Sequence, residues 1–472
     1  MNNKIVRIES IYINNFKNVI NGEITLNNNR VPYNTSILGL YGQNGSGKTA
    51  LIDSIALLKF VLSGQSIPTK YSDYINVESD FATLKFILSI DDLENNNKYI
   101  VHYEFSIRKD YDISSNNIDL GNIDKEYKVT IFNESISFSY YNTKDPEINQ
   151  NKQVLINTNT DKIFIPNTKF EILIGKNKLR YTDLLVAKKL TLTTSRSFIF
   201  SKELLDIIKE NCFIHTYLTV LNSLVFYGNY GLVVINTDNS SLIGLNALPL
   251  SFKYTNTTHG AVGHIAIPLE SKAVIPQEAS ALLKKIINNM NIVLNQLVPG
   301  LTINVKELGS QTLKNGNTGV EIELFSNKNN KEIPLIYESE GIKKIISILQ
   351  LLITIYNDPS VTVAIDELDA GVFEYLLGEL LRVLSEKGKG QLIFTSHNLR
   401  VLETLDKGFI AFTTTNPKKR YIRFNNIKTN HNLRDFYYRD IVLGEQKEEV
   451  YEMTNNYEIA LAFREAGELS GS

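Results

Sequence analysis

The apolar positions of the chain recur with two periods, and each period predicts a type of secondary structure. Between residues 81 and 175, polar and apolar residues alternate around Asn-rich turns such as Glu94–Asn97. This alternation places apolar side chains on one face of a strand and favours an antiparallel sheet. Residues 180–225 and 277–297 instead carry apolar side chains at helical spacing, so we expect helices there.

In the last third of the chain, the apolar runs and turn residues predict strands separated by turns and helices. Strands are expected over 301–308 and 320–325, with a turn at Asn315–Asn317 between them. Apolar runs at 361–365 and 391–394 indicate two further strands, each preceded by a helical segment. Alternating helices and strands of this kind are typical of an α/β fold.

The first candidate for chemistry is the sequence GQNGSGKT at residues 42–49. It lies between an apolar strand, 37–41, and an apolar helical segment, 50–62, and matches a phosphate-binding loop. Glycines let such a loop curl its N–H groups around phosphate oxygens, and the following helix adds the positive end of its dipole. Lys48 is expected to reach the terminal phosphates of a nucleoside triphosphate, and the Thr49 hydroxyl to bind Mg²⁺. The predicted nucleotide contacts here are Gly42, Asn44, Gly45, Ser46, Gly47, Lys48 and Thr49.

Composition limits the classes of protein that fit this motif. The 472 residues suggest two or three lobes, and a hydrophobic fraction of 43% is enough for a sizeable core. The net charge of −2 means that any nucleic-acid contact needs a local patch. Cys212 is the only cysteine, which fits a reducing compartment, and the longest apolar run, 345–356, is too short to span a bilayer. We therefore expect a cytoplasmic protein with no membrane segment.

Two acidic residues, Asp366 and Glu367, end the β-branched run at 361–365. Because ligands bind at the carboxyl ends of the strands in open α/β sheets, both carboxylates are expected beside the phosphate loop. Asp366 suits Mg²⁺, directly or through water. Glu367 suits a general base that polarises the attacking water.

Two further positions complete the candidate site. His397 follows the next predicted strand, and Ser339 is a suitable N-cap for a helix over 342–356 that begins beside Gly341. The free N–H groups of such a helix start form a second phosphate site. Since one nucleotide already has its phosphate loop, this second site is expected to cap ATP held by another copy of the chain.

In combination these motifs resemble the ATP-binding-cassette (ABC) ATPases of the branch that contains RecF, the SMC proteins and the overcoming-lysogenization-defect proteins. The chain looks most similar to the AAA/ABC-like ATPases of bacterial anti-phage and abortive-infection systems, such as the ATPase subunit of PARIS. The resemblance covers residues 1–62 and 330–425. It rests on GQNGSGKT at 42–49, SEG at 339–341, AIDELDAG at 364–371, TSHN at 395–398 and the opening IYINNFKN at 11–18.

The resemblance implies roles for individual residues. Ser339 and Gly341 would act in trans on the γ-phosphate of ATP, Asp369 would lie at a dimer interface, and His397 would sense the γ-phosphate. The predicted catalytic residues are therefore Glu367, His397 and Lys48. The chain departs from the family in having Glu340 where transporter cassettes have Gly, and no glutamine-loop residue can be assigned.

The resemblance also implies an α/β fold built on an ABC-ATPase head, with a mixed β-sheet, flanking helices and an antiparallel β-lobe. An inserted α/β region and a small C-terminal helical extension would be added to this head. The predicted domains are 1–180 for the N-terminal lobe with the phosphate loop, 181–300 for a mainly helical insertion, 301–425 for the C-terminal lobe, and 426–472 for the extension.

Two functions stay open. In the first, the protein is a sensor and scaffold of an anti-phage defence system, whose ATP-driven assembly controls a separate effector. In the second, it is a DNA repair or recombination ATPase of RecF or SMC type. A transporter is disfavoured by the lack of a membrane segment, and an SMC ring by the lack of long heptad repeats.

The expected cofactors are ATP and Mg²⁺, and the first expected partner is a second copy of the chain, as a homodimer or larger homo-oligomer. A Toprim-type nuclease or toxin is expected on a separate protein, because too few residues follow His397 to hold one. The basic and aromatic stretch 418–439 leaves nucleic acid open as a further partner.

Overall fold

The computed structural model describes residues 4–469 apart from several gaps. These gaps are residues 27–34, 112–126, 143, 146, 148, 177, 237–246, 256–259, 314, 315, 317, 330, 425–431 and 445. Residues 315 and 317 of the predicted turn therefore lie outside the described residues. No helix in the described ranges is long and apolar enough to cross a membrane.

A six-stranded antiparallel sheet forms the first lobe, with the strand order β2–β1–β4–β5–β6–β7. Its inward-facing side chains alternate with outward-facing ones, as in β4, so that one face is buried. The antiparallel sheet predicted for residues 81–175 is therefore confirmed for 81–157, whereas residues 167–174 form a helix instead. The strands are β1 (Lys4–Phe16), β2 (Val19–Thr25), β4 (Phe81–Asp92), β5 (Asn97–Tyr111), β6 (Tyr127–Asn142) and β7 (Gln150–Asn157).

A second six-stranded sheet, in the order β18–β17–β3–β16–β15–β8, carries the candidate site. Every pairing from β17 to β8 is parallel, and only β18 is antiparallel to its neighbour. Its strands are β3 (Ser36–Tyr41), β8 (Leu232–Ile235), β15 (Thr362–Ile365), β16 (Gln391–Thr395), β17 (Ile410–Thr413) and β18 (Tyr421–Ile422).

The parallel sheet is covered on both faces, which explains its continuous apolar strands. Leu38 and Leu40 of β3 belong to a core that the sheet shares with the antiparallel lobe. Ile37 and Tyr41, on the opposite face, belong to a second core with the later helices. The phosphate loop thus follows a strand that is held from both sides.

Eleven α-helices are described. They are α1 (Lys48–Leu62), α2 (Asn167–Ile174), α3 (Lys178–Thr193), α4 (Lys202–Asn211), α5 (His215–Phe226), α6 (Gln277–Leu297), α7 (Glu340–Asn357), α8 (Glu374–Lys387), α9 (Arg400–Thr404), α10 (Leu433–Leu443) and α11 (Asn456–Leu469). The helical predictions for 180–225 and 277–297 are confirmed.

The remaining strands form smaller sheets. β9 (Ala247–Thr255) and β10 (Gly260–Pro268) make a hairpin, while β11 (Ala273–Pro276), β12 (Leu301–Thr312), β13 (Thr318–Lys328) and β14 (Lys331–Pro334) make a four-stranded sheet. The strands predicted at 301–308 and 320–325 are part of β12 and β13, which pair antiparallel.

The segment 181–300 contains more than the helices that the sequence predicts. β8 lies within it and pairs in parallel with β15, from Leu232 beside Thr362 to Ile235 beside Ile365. Four residues are too few to show a strand periodicity, and the pairing connects positions far apart in the chain. Part of the segment assigned to a helical insertion therefore belongs to the central sheet.

Candidate functional site

Three of the predicted motifs meet at one edge of the parallel sheet. β16 lies between β3 and β15, with Leu40 beside Thr395 and Phe394 beside Ile365. The chain leaves these strands at the phosphate loop, at His397 and at the acidic pair. Because parallel strands end at the same edge, the sheet brings the three motifs together.

Close packing shapes the phosphate loop. Gly42 has φ 153°, and a Cβ there would lie 1.7 Å from Thr413 Oγ1. Gly47 has φ 93°, and a Cβ there would lie 3.1 Å from Val19 and 3.2 Å from Arg420. Only glycine combines these backbone angles with this close approach. The loop therefore packs closely against Thr413, Val19 and Arg420.

Lys48 is a buried cation at the start of α1. Its ammonium group donates to the carbonyl oxygens of Gly42, at 2.9 Å, and Gln43, at 3.0 Å. Burial lowers the pKa of Lys48, while the carboxylates of Asp366 and Glu367 act in the opposite direction. The lysine therefore lies within electrostatic range of the acidic pair, as a site for polyphosphate requires.

One hydroxyl organises the acidic pair. The buried Thr395, at the end of β16, donates to Asp366 Oδ1 and accepts the backbone N–H of Glu367 at 2.8 Å. Asp366 is 6% exposed, and its own N–H donates to Ile235 O at 2.8 Å. Glu367 is exposed and has φ 50°, a left-handed conformation that is uncommon for this residue. The backbone turn after β15 thus leaves the Glu367 side chain exposed, within electrostatic range of Lys48.

Asp369 connects the acidic motif to His397. The backbone N–H of His397 donates to Asp369 Oδ2 at 3.0 Å. The other oxygen, Oδ1, is buried and has no hydrogen-bond partner among the described residues. The His397 side chain is exposed at the sheet edge, where it can meet a ligand.

Ser339 caps α7, as expected from the sequence. Its hydroxyl accepts the backbone N–H of Ile342 at 3.4 Å, and its side chain is exposed. A Cβ on Gly341 would lie 2.9 Å from Gly371 O, so the start of α7 lies directly against the loop after the acidic motif. Within the described residues, no hydrogen bond joins Ser339 or Gly341 to the phosphate loop.

A buried polar network lies behind the phosphate loop and is not evident from the sequence motifs. Asp53 of α1 is fully buried and pairs with the ammonium group of Lys17. Asn236, the residue after β8, donates to Asp53 Oδ1 at 2.8 Å. A buried carboxylate on a mainly apolar helix needs such partners, and the acidic residue within this apolar segment is the signal in the sequence that could have revealed the network.

Tyr421 of β18 and the preceding Arg420 hold the phosphate loop through hydrogen bonds. Tyr421 donates its hydroxyl to Gly47 O at 2.9 Å. Arg420 donates to Asn18 O and to Thr414 O, and Asn18 in turn donates to Gly45 O. The contacts of Tyr421 with Gly47 and of Arg420 with Asn18 join positions hundreds of residues apart, which sequence periodicity cannot show.

Several cations of the basic stretch 418–439 form hydrogen bonds or ion pairs within the same molecule. Arg423 donates to Gly408 O, Lys419 pairs with Glu448 at 3.2 Å, and Arg434 pairs with Glu403 at 2.7 Å. Together with Arg420, these cations bond to carbonyl groups or carboxylates of the same molecule. These four cations of the stretch that the sequence left open for nucleic acid are therefore already bonded within the molecule.

The oxygen ligands at this site are of the kind that binds a nucleotide together with a hard divalent cation such as Mg²⁺. Thr49 in the first turn of α1 and the buried carboxylate of Asp366 offer oxygen ligands, which Mg²⁺ prefers. The described residues hold no group of three or more His, Cys, Asp or Glu that could bind a metal. Mg²⁺ is commonly held by one or two protein oxygens together with substrate phosphates and water.

Comparison with known proteins gives one family. The family model described as the RecF/RecN/SMC N terminal domain matches residues 7–420. Among the curated proteins, none matches the chain.

Several solved structures are similar to the chain at low identity. The SMC head bound to the C-winged helix domain of ScpA is 14% identical, with a TM-score of 0.39, over 89% of this chain and 98% of that one. The recombination mediator protein RecF of the RecFOR pathway is 13% identical, with a TM-score of 0.36, over 88% and 98%. The SMC head domain from Thermotoga maritima is 12% identical, with a TM-score of 0.34, over 89% and 100%.

Proposed function

Because the chain belongs to the RecF/RecN/SMC N-terminal domain family and is an ABC-type ATPase, we propose that ATP joins two copies of it. As a member of this family, the chain binds and hydrolyses ATP. The phosphate loop of one copy and the Ser339–Gly341 segment of the other would enclose each nucleotide. The predicted homo-oligomer then depends on the bound nucleotide.

The observation that carries this proposal is an exposed apolar surface around Ser339. Tyr337 is 75% exposed and Phe373 is 72% exposed, and Ile336 and Tyr375 beside them are also exposed. The contact between Gly341 and Gly371 O brings the two segments together. Exposed aromatic clusters of this kind mark protein interfaces, in which Tyr and Phe are enriched.

In the proposed reaction each residue acts at a defined part of ATP. Lys48 neutralises the terminal phosphates, and the N–H groups of the loop and of the first turn of α1 bind their oxygens. Thr49 and Asp366 would hold Mg²⁺, which supplies charge neutralisation of the phosphates when bound. Glu367 accepts a proton from the attacking water, and His397 contacts the γ-phosphate.

Sedimentation of the purified chain with and without Mg-ATP tests the assembly. We use Glu367→Gln to slow hydrolysis, and expect the mass to double on addition of ATP. Tyr337→Ser should weaken this association at least tenfold, whereas Val77→Ser, at a residue that is 99% exposed elsewhere, should leave it unchanged. A chain that stays monomeric in saturating ATP would contradict the proposal.

We further propose that this assembly holds a separate effector protein, as in bacterial defence systems. The support is the motif resemblance to the ATPases of anti-phage systems, in which the effector lies on another chain. Purification together with the products of the neighbouring genes tests this idea. Recovery of no partner, both with and without ATP, would count against it.

Membership of a family named after RecF, RecN and SMC favours a second candidate, a DNA repair or recombination ATPase. In that case the ATP-bound assembly would clamp duplex DNA. Binding should depend on ATP and weaken steeply with salt, because phosphate contacts release counterions. ATP turnover that does not change with duplex DNA would exclude this candidate.

A further inference from the structure

The last helix of the chain presents an uncovered apolar stripe. All residues from 456 to 467 in α11 are exposed, including Phe463 at 77%. Ile459, Ala462, Phe463 and Ala466 recur at the spacing that places side chains on one face of a helix. A helix of this length is marginally stable in water without tertiary packing. Packing of the stripe against another apolar surface would therefore stabilise α11.

An apolar groove of matching character lies between α6, α7 and α8. It has a volume of about 330 Å³ and is lined by Val293, Leu352, Ile353, Tyr356, Leu380 and Val383, among others. Val383, on its rim, is 47% exposed. In the single chain, α11 does not pack in this groove, so the apolar stripe and the groove are both accessible to solvent.

The helix is attached next to the phosphate loop. The backbone N–H of Glu452 donates to Gln43 Oε1 at 2.9 Å, and the buried Val450 fixes the chain just before it. Only residues 453–455 separate this anchor from the start of α11. The position of the helix is therefore tied to the loop that binds ATP.

The lengths of the elements show what the helix can reach. In the proposed assembly, the phosphate loop of one copy faces Ser339 of the other, at the start of α7. Leu352 and Tyr356 lie about 20–25 Å along α7 from that point, at 1.5 Å per residue. Residues 453–455 span about 10 Å when extended, and α11 is about 21 Å long. The connecting residues and the helix together are therefore long enough to cover the distance to the groove of the second copy.

We infer that α11 of each copy docks in the α6–α7–α8 groove of the other copy when ATP joins them. Such a clasp buries the stripe around Phe463 against Val383 and its neighbours. It also couples assembly to the phosphate loop through the anchor at Glu452. The inference rests on the proposed ATP-dependent assembly and adds a second contact to it.

Cross-linking between two differently labelled full-length chains tests the clasp. Both chains carry Cys212→Ala and Glu367→Gln; one adds Phe463→Cys and the other Val383→Cys. A short bismaleimide should join them at least five times more efficiently with Mg-ATP than without it. A matched mixture of Val77→Cys and Val383→Cys chains measures the collisional background.

Sedimentation of the same mixtures separates the two proposals. If the mass doubles with ATP but the cross-link stays at background, the clasp is wrong and the assembly stands. A cross-link inside one chain carrying both cysteines, without ATP, would also overturn the clasp, because the helix would then occupy its own groove. If ATP never changes the mass, the assembly fails and the clasp fails with it.

Paired substitutions provide a second measurement. Phe463→Asp and Val383→Asp should each raise the dissociation constant of the ATP-bound dimer about tenfold, while ATP binding to the single chain stays unchanged. The double variant should be little weaker than either single one, since both remove the same contact. Full additivity would mean that the two residues contact different partners, such as a separate effector, and would overturn the inference.

Discussion

The backbone N–H of Glu367 donates a 2.8 Å hydrogen bond to the side-chain hydroxyl of Thr395, the last residue of the adjacent strand. The same hydroxyl donates its proton to Asp366 Oδ1. A hydroxyl can donate and accept at once, so one side chain fixes the carboxylate of Asp366 and the backbone of Glu367. Thr395 is therefore a positioning residue for both acids.

Thr395→Val keeps the shape of the side chain and removes both bonds. We expect the ATP turnover number to fall about 10–100-fold, because small displacements of catalytic groups are costly. The affinity for ATP should change far less, since Lys48 and the phosphate loop are untouched. Thr395→Ser keeps the hydroxyl and should retain most of the activity. Equal losses in the two variants would show that packing alone is responsible.

Glu367→Gln should separate ATP binding from hydrolysis. Glutamine has the shape of glutamate but cannot accept the proton, so we expect turnover to fall roughly 10²–10⁴-fold. The variant should retain ATP and stay assembled during gel filtration. Glu278→Gln, at an exposed residue in the first turn of α6, is the matched control. Unchanged turnover in Glu367→Gln would place the general base elsewhere.

Gly341→Ala tests the contact between the start of α7 and the loop after the acidic motif. A methyl group there would lie 2.9 Å from Gly371 O, so that one of the two segments must shift. We expect ATP-dependent association and turnover to fall at least fivefold, while ATP binding to the single chain is preserved. Gly309→Ala, where a Cβ meets no atom within 4 Å, controls for the added methyl group.

Local patterns in the sequence predict much of this fold. The strand, loop and helix around residues 36–62 form as expected, because the apolar runs and the glycines lie next to one another in the chain. The alternation in β4 and β5 likewise identifies the antiparallel sheet. The acidic pair and His397 meet at one edge because their strands are parallel, a consequence of the α/β order.

Contacts between distant segments could not be predicted. β8 has only four residues, and its place beside β15 depends on tertiary packing. Asn236 contacts Asp53 for the same reason. Arg420 looks like part of a basic surface in the sequence, yet its guanidinium group binds backbone carbonyls behind the phosphate loop. Residue type alone does not show which groups a folded chain turns inward.

Lys48→Ala should abolish nucleotide binding without unfolding the chain. The substitution removes the buried cation of the phosphate loop that is proposed to neutralise the terminal phosphates, and we expect the affinity for ATP to fall at least 100-fold. Fluorescence titration with a labelled ATP analogue measures the loss, and circular dichroism checks the fold. Lys98→Ala, at a half-exposed lysine of β5, is the control. Normal ATP affinity in Lys48→Ala would refute its role in the phosphate loop.

His102 of β5 should make the fold sensitive to acid. Burial, together with repulsion from Lys152 and Lys85, lowers its pKa to about 4 from an ordinary value of 6.5. Between these two pH values the unfolded chain binds more protons than the folded one, so the free energy of unfolding falls as the solution is acidified. The contribution of neutral His102 to the free energy of unfolding is fully present above pH 6.5 and is lost as the pH falls towards 4. After allowance for the partial exposure of His102, this loss is on the order of 2 kcal/mol. Denaturant unfolding at several pH values should show a flatter profile for His102→Gln than for the exposed His215→Gln. Identical profiles in the two variants would mean that other groups set the acid sensitivity.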